Sequence, residues 1–404
     1  MIFDYFRLAF RSLRGRSVRT WLTMIGIFIG ITAVVSLVSL GNGLQDSINK
    51  EFDKMGKNRI MITPGSGQFG PEGGEMSVGK MTVEDLEAVR KVKGVDVASG
   101  VISKMAKVQF KDETEFTSAW GFDTDKNGDE LIRRTSFFDV AEGRQLKNGD
   151  LYKAVVGYNV AYDMFKKDLR IGNTIVIEGK EFKIIGIQKK AGNPMYDNLV
   201  RIPLEVAREI YAMPDEISTI FSLSIESEPP ADVAERITRA LRRFRNVKEG
   251  EEDFSVQTAE QMINSLNVIL NVVTIFVAGI AGISLVVGGI GIMNTMYTTV
   301  LERTREIGIM KAIGAKNGQV MLLFLAESGI LGLAGGFVGI VLGVIISKAG
   351  EFVAVQMGAS FFKSSVTFTL IFGALMFSFF VGMASGILPA RQASVMPPVE
   401  ALRK

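Results

Sequence analysis

Long apolar runs and stretches of mixed polarity divide the chain into membrane and water-soluble parts. Four apolar runs are each long enough to cross a bilayer, which takes about 20 residues in a helix. One lies near the amino terminus and three lie in the last third of the chain. The pattern predicts four transmembrane helices, which lie within residues 1–42 and at 268–297, 320–346 and 366–388.

The residues between the first two runs, 43–267, alternate in short apolar and polar segments. The flanks, 43–122 and 213–262, each combine period-two strands with an amphipathic helix and are expected to share one sheet. The middle part, 123–212, contains more short strands and turns. We therefore predict an α/β membrane protein whose outer α+β domain has a split βαβ part with a β-rich insert. The helix in the second flank is expected to bury Val233, Ile237, Ala240, Leu241 and Phe244.

Apolar residues keep a helical spacing beyond the first span and before the second. After the first span they include Leu44, Ile48 and Phe52, and before the second they include Met262 and Leu266. This spacing predicts that both spans extend out of the bilayer as stalk helices of the outer domain.

A polar stretch at 298–319 separates the second and third spans. Its sequence suits a short amphipathic helix, with Ile307, Met310 and Ile313 on one side. Arg303 and Arg305 are expected to lie in water. A glycine follows at position 314 and is well placed to end the helix.

The distribution of basic residues predicts the orientation in the membrane. Short loops rich in Lys and Arg stay in the cytoplasm, which places both termini and the 298–319 stretch inside and the 43–267 domain outside. The tail 389–404 is basic, and Pro389 is expected to close the fourth span. We expect a multi-pass protein of the plasma or inner membrane. The flank before the first span contains Arg7, Arg11, Arg14, Arg16 and Arg19 against one acid, Asp4.

The composition narrows the possible functions. The chain is 47% hydrophobic and 22% charged, with a mean hydropathy of +0.25, as expected for a protein part in membrane and part in water. It contains no Cys and no His, which excludes Ser-His and Cys-His catalysis. The net charge of +3 is spread along the chain, which argues against nucleic acid as a partner. We expect no catalytic residues and no metal site.

Two motifs imitate ligand sites. The Gly74–Met81 segment has the spacing of a phosphate-binding loop, but Met81 replaces the hydroxyl that holds magnesium. The segment from Asp123 to Asp129 resembles half a calcium loop, but Arg134 stands where a bidentate Glu is required. We interpret both as surface segments and expect this chain to bind no cofactor.

Small residues four apart recur in the predicted spans. They allow close helix contacts, where lipid gives no hydrophobic drive for association. For the first pair, packing within one chain and a dimer contact both remain open. These residues are Gly26, Gly30, Gly335, Gly339, Gly343, Gly382 and Gly386.

Glu327 is the one acid inside a predicted span. A charged side chain at mid-bilayer costs roughly 2.5–3.5 kcal/mol on insertion scales. The residue lies within about two helical turns of the cytoplasmic end, where the cost is smaller. Polar pairing within the bundle and a role in coupling both remain open.

The polar stretch between the second and third spans also carries a long ordered motif. It reads Glu-Arg-Thr-Arg-Glu-Ile-Gly from Glu302 to Gly308 and Lys-Ala-Ile-Gly-Ala from Lys311 to Ala315. This motif resembles the signature of the MacB and FtsX permease superfamily. The ending at residues 396–403 is similar to the closing motif of that family.

The resemblance implies that this stretch docks onto a cytoplasmic ATPase, which in the family is a separate chain or domain. The alternative is an ordinary loop whose basic residues only set topology. Carried over position by position, the expected coupling residues are Glu302, Arg303, Arg305, Glu306, Ile307, Gly308, Met310, Lys311 and Gly314.

From the resemblance we expect the permease subunit of a MacB-like ABC transporter. It would form a homodimer with two copies of an ATPase that holds ATP and magnesium. Movements of the outer domain would export a substrate, with an extracytoplasmic adaptor as a possible partner beside membrane lipid.

Three alternatives remain open on the sequence. The same movement would activate an extracytoplasmic hydrolase in an FtsX-like regulator, or release lipoproteins in a third branch of the superfamily. The chain could also be a membrane-anchored binding module with no ATPase. The β-rich insert favours the MacB-like interpretation.

Overall fold

The computed structural model describes residues 17–55, 58–65, 80–356 and 362–403. Arg7, Arg11, Arg14 and Arg16 of the basic flank and nearly all of the segment that imitates a phosphate-binding loop lie outside the described residues, whereas Arg19 lies within them. In chain order the α-helices are α1 (Ser17–Met55), α2 (Val83–Arg90), α3 (Lys126–Arg133), α4 (Tyr158–Tyr162), α5 (Pro194–Asp197), α6 (Leu204–Ile210), α7 (Pro230–Arg245), α8 (Ala259–Glu302), α9 (Thr304–Ala312), α10 (Asn317–Gln356), α11 (Phe368–Val395) and α12 (Pro398–Arg403).

The described chain divides into two compact units. A helical unit contains residues 17–45, 269–354 and 362–403, and a mixed unit contains residues 46–268 and 355–356. The strands, all in the mixed unit, are β1 (Arg59–Pro64), β2 (Met81–Thr82), β3 (Val95–Phe110), β4 (Glu113–Phe122), β5 (Val140–Gly143), β6 (Lys153–Val156), β7 (Thr174–Ile177), β8 (Lys180–Gln188), β9 (Leu199–Pro203), β10 (Glu216–Ile217), β11 (Thr219–Ser224) and β12 (Phe254–Thr258).

One ten-stranded sheet organises the mixed unit. Its order is β12-β1-β11-β3-β4-β9-β6-β8-β5, and β7 pairs with β3 and β8 outside this path. Strands from both flanks of the split part are neighbours in this sheet, as expected. The parallel pairing of β4 with β9, in register from Ser118 opposite Leu199, brings in the insert. The strands of the insert therefore extend the sheet of the split part.

The two largest cores of the mixed unit lie on different parts of its sheet. In the split part, α2 and α7 cover β1, β3 and β11 with buried residues that include Leu86 and Ile237. In the insert, α4 and α6 pack on the sheet around Phe182. Asp85 receives a hydrogen bond from Arg245 at 2.6 Å and also completes the capping box of α2. This buried pair fixes α2 against the end of α7.

The inward face of α7 differs from the prediction at two residues, Phe244 and Ala240, of which Ala240 is only half-buried. Val233, Ile237 and Leu241 are fully buried, but Phe244 is 49% exposed. Ala234 is buried as well. The buried stripe follows the 3.6-residue period only while α7 lies over the sheet, and Phe244 falls in its last turn beyond that surface.

The helical unit contains long helices that match the four predicted spans. Among the described residues, α8, α10, α11 and the part of α1 from Ile25 to Lys50 are long and apolar enough to cross a membrane. Helix α8 continues from the end of β12 to Glu302 without a break. Both predicted stalks are therefore continuous with their spans.

Pro389 does not close the fourth span. Helix α11 continues through this buried proline to Val395. Proline is tolerated inside a membrane helix when surrounding structure compensates for the lost backbone hydrogen bond. Here Ala390 and Ala393 follow it and are fully buried in the bundle, so their packing holds the helix beyond the proline.

Asp150 gives the insert a pH-dependent contribution to stability. The guanidinium of Arg144 holds the pKa of the Asp150 carboxyl below its usual range, outweighing the opposing effect of burial, with help from Lys153 and the amide of Lys147. Because the ordinary carboxyl pKa is roughly 4, this stabilisation is complete above about pH 4 and is lost as the pH falls further.

We expect Asp150→Asn to reduce amide protection in the insert about tenfold or more at pH 7, since a hydrogen bond to a charged group contributes about 1.5–3 kcal/mol. Hydrogen exchange of residues 144–156 in the detergent-solubilised full chain measures this. The difference from wild type should stay constant from neutral pH to about pH 5 and shrink below about pH 4. An unchanged difference at pH 3 would contradict the assignment.

Candidate coupling site

The candidate site begins where the second span ends. Helix α8 stops at Glu302, and Arg303 leaves helical geometry with φ −103° and ψ 17° before α9 starts at Thr304. The Thr304 hydroxyl donates to the carbonyl oxygens of Val300 at 3.1 Å and Leu301 at 2.8 Å. It satisfies carbonyls that the end of a helix leaves without a backbone partner.

Arg303 connects α9 to the third span. Its Nη1 donates to Oε2 of Glu327 on α10 at 3.1 Å, and its Nε donates to Oε2 of Glu306 at 2.8 Å. The guanidinium carbon lies 5.7 Å from the centre of the Phe324 ring. The Glu327 side chain is only 6% exposed, so Arg303 supplies a counter-charge to a buried carboxylate.

Two expectations for the amphipathic helix are wrong. Arg303 was expected in water, but its side chain is 24% exposed because it turns toward Glu327. Ile313 was expected beside Ile307 but is 83% exposed, whereas Ile307 is fully buried. Helix α9 ends at Ala312, so the 3.6-residue period of the helix does not place the Ile313 side chain on the same face as Ile307.

Lys311 connects the other end of α9 to the fourth span. Its Nζ donates to the carbonyl oxygens of Ser394 and Met396, the latter at 3.0 Å. These carbonyls belong to the last turn and the C-cap of α11. The C-terminus of a helix carries partial negative charge and unpaired carbonyls, so a lysine ammonium is a favourable partner there.

The buried face of α9 packs on the carboxyl-terminal helix. A Cβ atom on Gly308 would come within 2.8 Å of the Ala401 Cβ atom. Ala401 is 1% exposed, and Gly308 is buried. The absence of a side chain at position 308 therefore permits close contact between α9 and α12.

The structure separates the predicted coupling residues by exposure. The buried ones are Ile307 and Gly308, and the half-buried ones are Arg303, Met310 and Lys311. The exposed ones are Glu302, Arg305, Glu306 and Gly314, which has φ +102° after the end of α9.

Sequence reasoning missed Ile309, which is 49% exposed on α9 between the charged residues. It also missed Phe324 as the aromatic neighbour of Arg303 and the carbonyls that hold Lys311. An apolar residue out of phase with Ile307 and Met310 was the signal available for Ile309.

Six of the seven glycines predicted to pack lie at helix contacts within the chain. A Cβ on Gly26 would meet the backbone of Gly288 on α8, and one on Gly339 would meet Phe28 and Ile31 of α1. Gly30 likewise approaches α8, Gly343 approaches α1, and Gly382 and Gly386 approach Ser328 of α10; Gly335 is buried on α10.

The segment that imitates a calcium loop forms the start of α3. Asp125 accepts a hydrogen bond from the Gly128 amide at 2.7 Å and so caps this helix. Arg90 lies 3.6 Å from Asp123 and 3.2 Å from Asp125, which places a guanidinium beside the carboxylates. Burial and the Asp125 charge raise the pKa of Asp123. Within the described residues there is no group of three acidic side chains suited to a metal ion.

Two family models match this chain. The MacB-like periplasmic core domain matches residues 20–240, and the FtsX-like permease C-terminal model matches residues 265–398. The first match contains β1 to β11 and most of α7, and the second contains the polar stretch with α9.

Several full-length relatives are similar to the chain. An uncharacterised ABC transporter permease of Methanocaldococcus jannaschii is 38% identical, with 99% of this chain and 98% of that protein covered. The uncharacterised ABC transporter permease YknZ of Bacillus subtilis is 28% identical, with 100% and 99% covered. The macrolide export ATP-binding/permease protein MacB of Bdellovibrio bacteriovorus is 31% identical over 99% of this chain, which spans 61% of that protein.

Solved structures similar to the chain include the periplasmic region of MacB from Actinobacillus actinomycetemcomitans, with a TM-score of 0.46 and 13% identity over 55% of this chain and 97% of that one.

The match to the periplasmic core model, which covers more than half of the chain, and the relative with 38% identity establish the family. The chain belongs to the MacB-like permeases of the FtsX superfamily and is a multi-pass permease subunit of an ABC transporter.

Proposed function

We propose that this permease transmits ATP hydrolysis on a separate cytoplasmic ATPase to its mixed unit, which then moves a substrate outside the membrane. A permease of an ABC transporter implies an ATPase partner. In this proposal the ATPase binds ATP and magnesium, and the permease performs no catalysis. Both termini and α9 lie in the cytoplasm, and two copies of the permease work together.

The observation that carries the proposal is the attachment of α9 at both ends. Arg303 is bonded to Glu327 on α10, and Lys311 is bonded to the end of α11. A force applied to α9 would therefore reach the third and fourth spans through polar contacts, in addition to the chain connection to α8. An ordinary topogenic loop does not require such attachments.

The exposed side of α9 is the proposed contact with the ATPase. It combines the charged residues Arg305 and Glu306 with the apolar Ile309. Protein interfaces often have apolar anchors with a polar rim and are enriched in arginine.

In this proposal the stalk helices carry the movement of the spans to the mixed unit. Helices α1 and α8 each continue from the sequence of the helical unit into that of the mixed unit. A change in the spans would therefore be passed on by continuous helices, and an extracytoplasmic adaptor could join the mixed unit. The periplasmic core model supports an extracytoplasmic position for this unit.

We expect Arg305→Glu and Ile309→Asp each to reduce the ATPase that co-purifies with the tagged permease by at least tenfold. Truncating a hot-spot residue at the centre of an interface costs about 2 kcal/mol or more, and a misplaced charge adds to this. The permease is purified from its own cells in mild detergent, and the associated ABC ATPase is quantified by mass spectrometry.

Arg133→Glu is the matched control, because it reverses the charge of an exposed arginine, 69% exposed, in the mixed unit. It should leave the amount of ATPase unchanged. If folded wild-type protein never brings down an ATPase, the proposal is overturned and the chain is a binding module. If all three variants retain the ATPase, α9 is not the contact.

A further inference from the structure

The carboxyl-terminal helix α12 has one buried face and one exposed apolar face. Ala401 is buried against Gly308 of α9. Val399 is 77% exposed and Leu402 is 46% exposed, although both are apolar. The Leu402 Cγ atom also lies 3.2 Å from the Cβ position of Gly308. Leu402 therefore lies at the boundary between α9 and α12 and is still open on one side.

Exposed apolar residues also occur on α9 and at its C-cap. Ile309 follows Gly308 directly and is 49% exposed, and the C-cap residue Ile313 is 83% exposed. We call Ile309, Ile313, Val399 and Leu402 the apolar seam. All four lie outside α8, α10 and α11, in the segments 303–316 and 396–403, which both contain charged residues.

The contacts of α9 hold α12 in a fixed place. Lys311 binds the carbonyls of Ser394 and Met396, immediately before α12 begins at Pro398. The contact between Gly308 and Ala401 then sets the distance between the two short helices. Two helices held in this way can present a single surface to a partner.

The chemistry of the surface favours a protein over lipid as the occupant. Charged residues are interspersed with the seam, including Arg305, Glu306 and Glu400, all exposed. An apolar centre surrounded by charges of both signs is typical of a protein interface. Helix α12 lies directly against α9, since Ala401 meets the Cβ position of Gly308 at 2.8 Å. A partner that contacts α9 therefore meets α12 as well.

We propose that α12 is the second half of the docking surface for the ATPase, with the apolar seam as its centre. The proposal rests on the function proposed above and deepens it by assigning a role to the carboxyl-terminal tail. The ATPase would contribute a patch with apolar residues at its centre and charged residues around them.

The test is ATPase co-purification with the full-length permease carrying Val399→Asp or Leu402→Asp. We expect at least tenfold less ATPase per permease than in wild type, because a carboxylate would be placed in the centre of the interface. Val399 is the stronger test of contact, since a residue that is mostly exposed contributes little to folding. Met105→Asp is the matched control, because it places the same carboxylate at an apolar residue of the mixed unit that is 67% exposed, and it should retain the ATPase.

A second pair of variants tests whether the position of the seam matters. One variant displaces α12 without changing the residues of the seam, and the other is its control. Gly308→Leu would push against Ala401 and displace α12, and we expect it to lose the ATPase as well. Gly318→Leu adds the same side chain where nothing lies within 4 Å, and it should retain the ATPase. Gel-filtration profiles and melting temperatures of all variants confirm that each is folded.

The outcomes separate this proposal from the function on which it rests. If Ile309→Asp loses the ATPase while Val399→Asp, Leu402→Asp and Gly308→Leu retain it, α12 faces lipid or water and this inference is overturned. The proposed function then stands. If wild-type permease brings down no ATPase, the proposed function is overturned first, and the docking role of α12 is overturned with it.

Discussion

Glu327→Gln is expected to lower the melting temperature of the solubilised permease by several degrees and to uncouple its ATPase. Removing one partner of a buried ion pair typically costs about 3–5 kcal/mol, because the other charge is left buried without compensation. Arg303 keeps Glu306 and is 24% exposed, so the lower end of this range applies. The connection between α9 and the third span would be weakened at the same time.

Glu306→Gln is the matched control for this change. Glu306 accepts from the same arginine at 2.8 Å, but its side chain is 63% exposed. Exposed ion pairs contribute about 0–1 kcal/mol, so the melting temperature should hardly change. Equal effects of Glu306→Gln and Glu327→Gln would show that burial of the pair is irrelevant to its strength.

Activity separates a coupling role from a purely structural one. The Glu327→Gln permease should bind the ATPase as wild type does, because the residue lies away from the exposed side of α9. The permease-dependent part of the hydrolysis rate should fall at least tenfold. Exchanging the pair, as Arg303→Glu with Glu327→Arg, should restore part of it. If Glu327→Gln lowers the melting temperature but the ATPase still hydrolyses ATP at the wild-type rate, the Arg303–Glu327 pair has a structural role only.

Local sequence patterns were enough to predict the four spans and the split organisation of the mixed unit, because the signals for helices, turns and spans are local. Thr82 and Asp85 form the capping box that starts α2, and both partners lie within one helical turn. Glu178 and Gly179 form the two-residue turn between β7 and β8, with positive φ at both, as such hairpins require. The spans were predictable for the same reason, since the apolar run that marks a transmembrane helix is also formed by residues close together in the sequence.

Long-range contacts could not be predicted in this way. The motif located α9, but nothing in it shows that Lys311 binds carbonyls more than eighty residues later. Glu327 stood out as the one acid in a span, yet its partner Arg303 was assigned to water. The join between the insert and the sheet depends on the parallel pairing of β4 with β9, which no local pattern specifies. Each case is decided by packing between distant segments.

Gly382→Leu is expected to abolish the folded permease, because α10 and α11 touch at this residue. A Cβ on Gly382 would lie 2.5 Å from the Ser328 carbonyl oxygen and 2.9 Å from the Gly332 Cα atom. On the facing helix, a Cβ on Gly332 would lie 2.2 Å from the Ser378 carbonyl oxygen. Both sides of the contact are backbone, so no rotamer change can make room for a larger residue.

Membrane helices associate through close packing, since lipid supplies little hydrophobic drive between them. Overpacking a core costs about 1–3 kcal/mol and occasionally more, and a forced separation of two helix backbones falls at the upper end. The yield of monodisperse protein in mild detergent should therefore fall at least tenfold. Fluorescence-detected gel filtration of a tagged chain measures this directly.

Gly373→Leu, on the same helix, provides the control. A Cβ on Gly373 meets nothing within 4 Å, and the residue is exposed on α11, so the added side chain costs no packing. Its yield should match wild type, which separates a steric effect at the crossing from a general intolerance of leucine in α11. If Gly382→Leu and Gly373→Leu behave alike, the close approach of α10 and α11 is not required for folding. The small residues in these spans would then need another explanation.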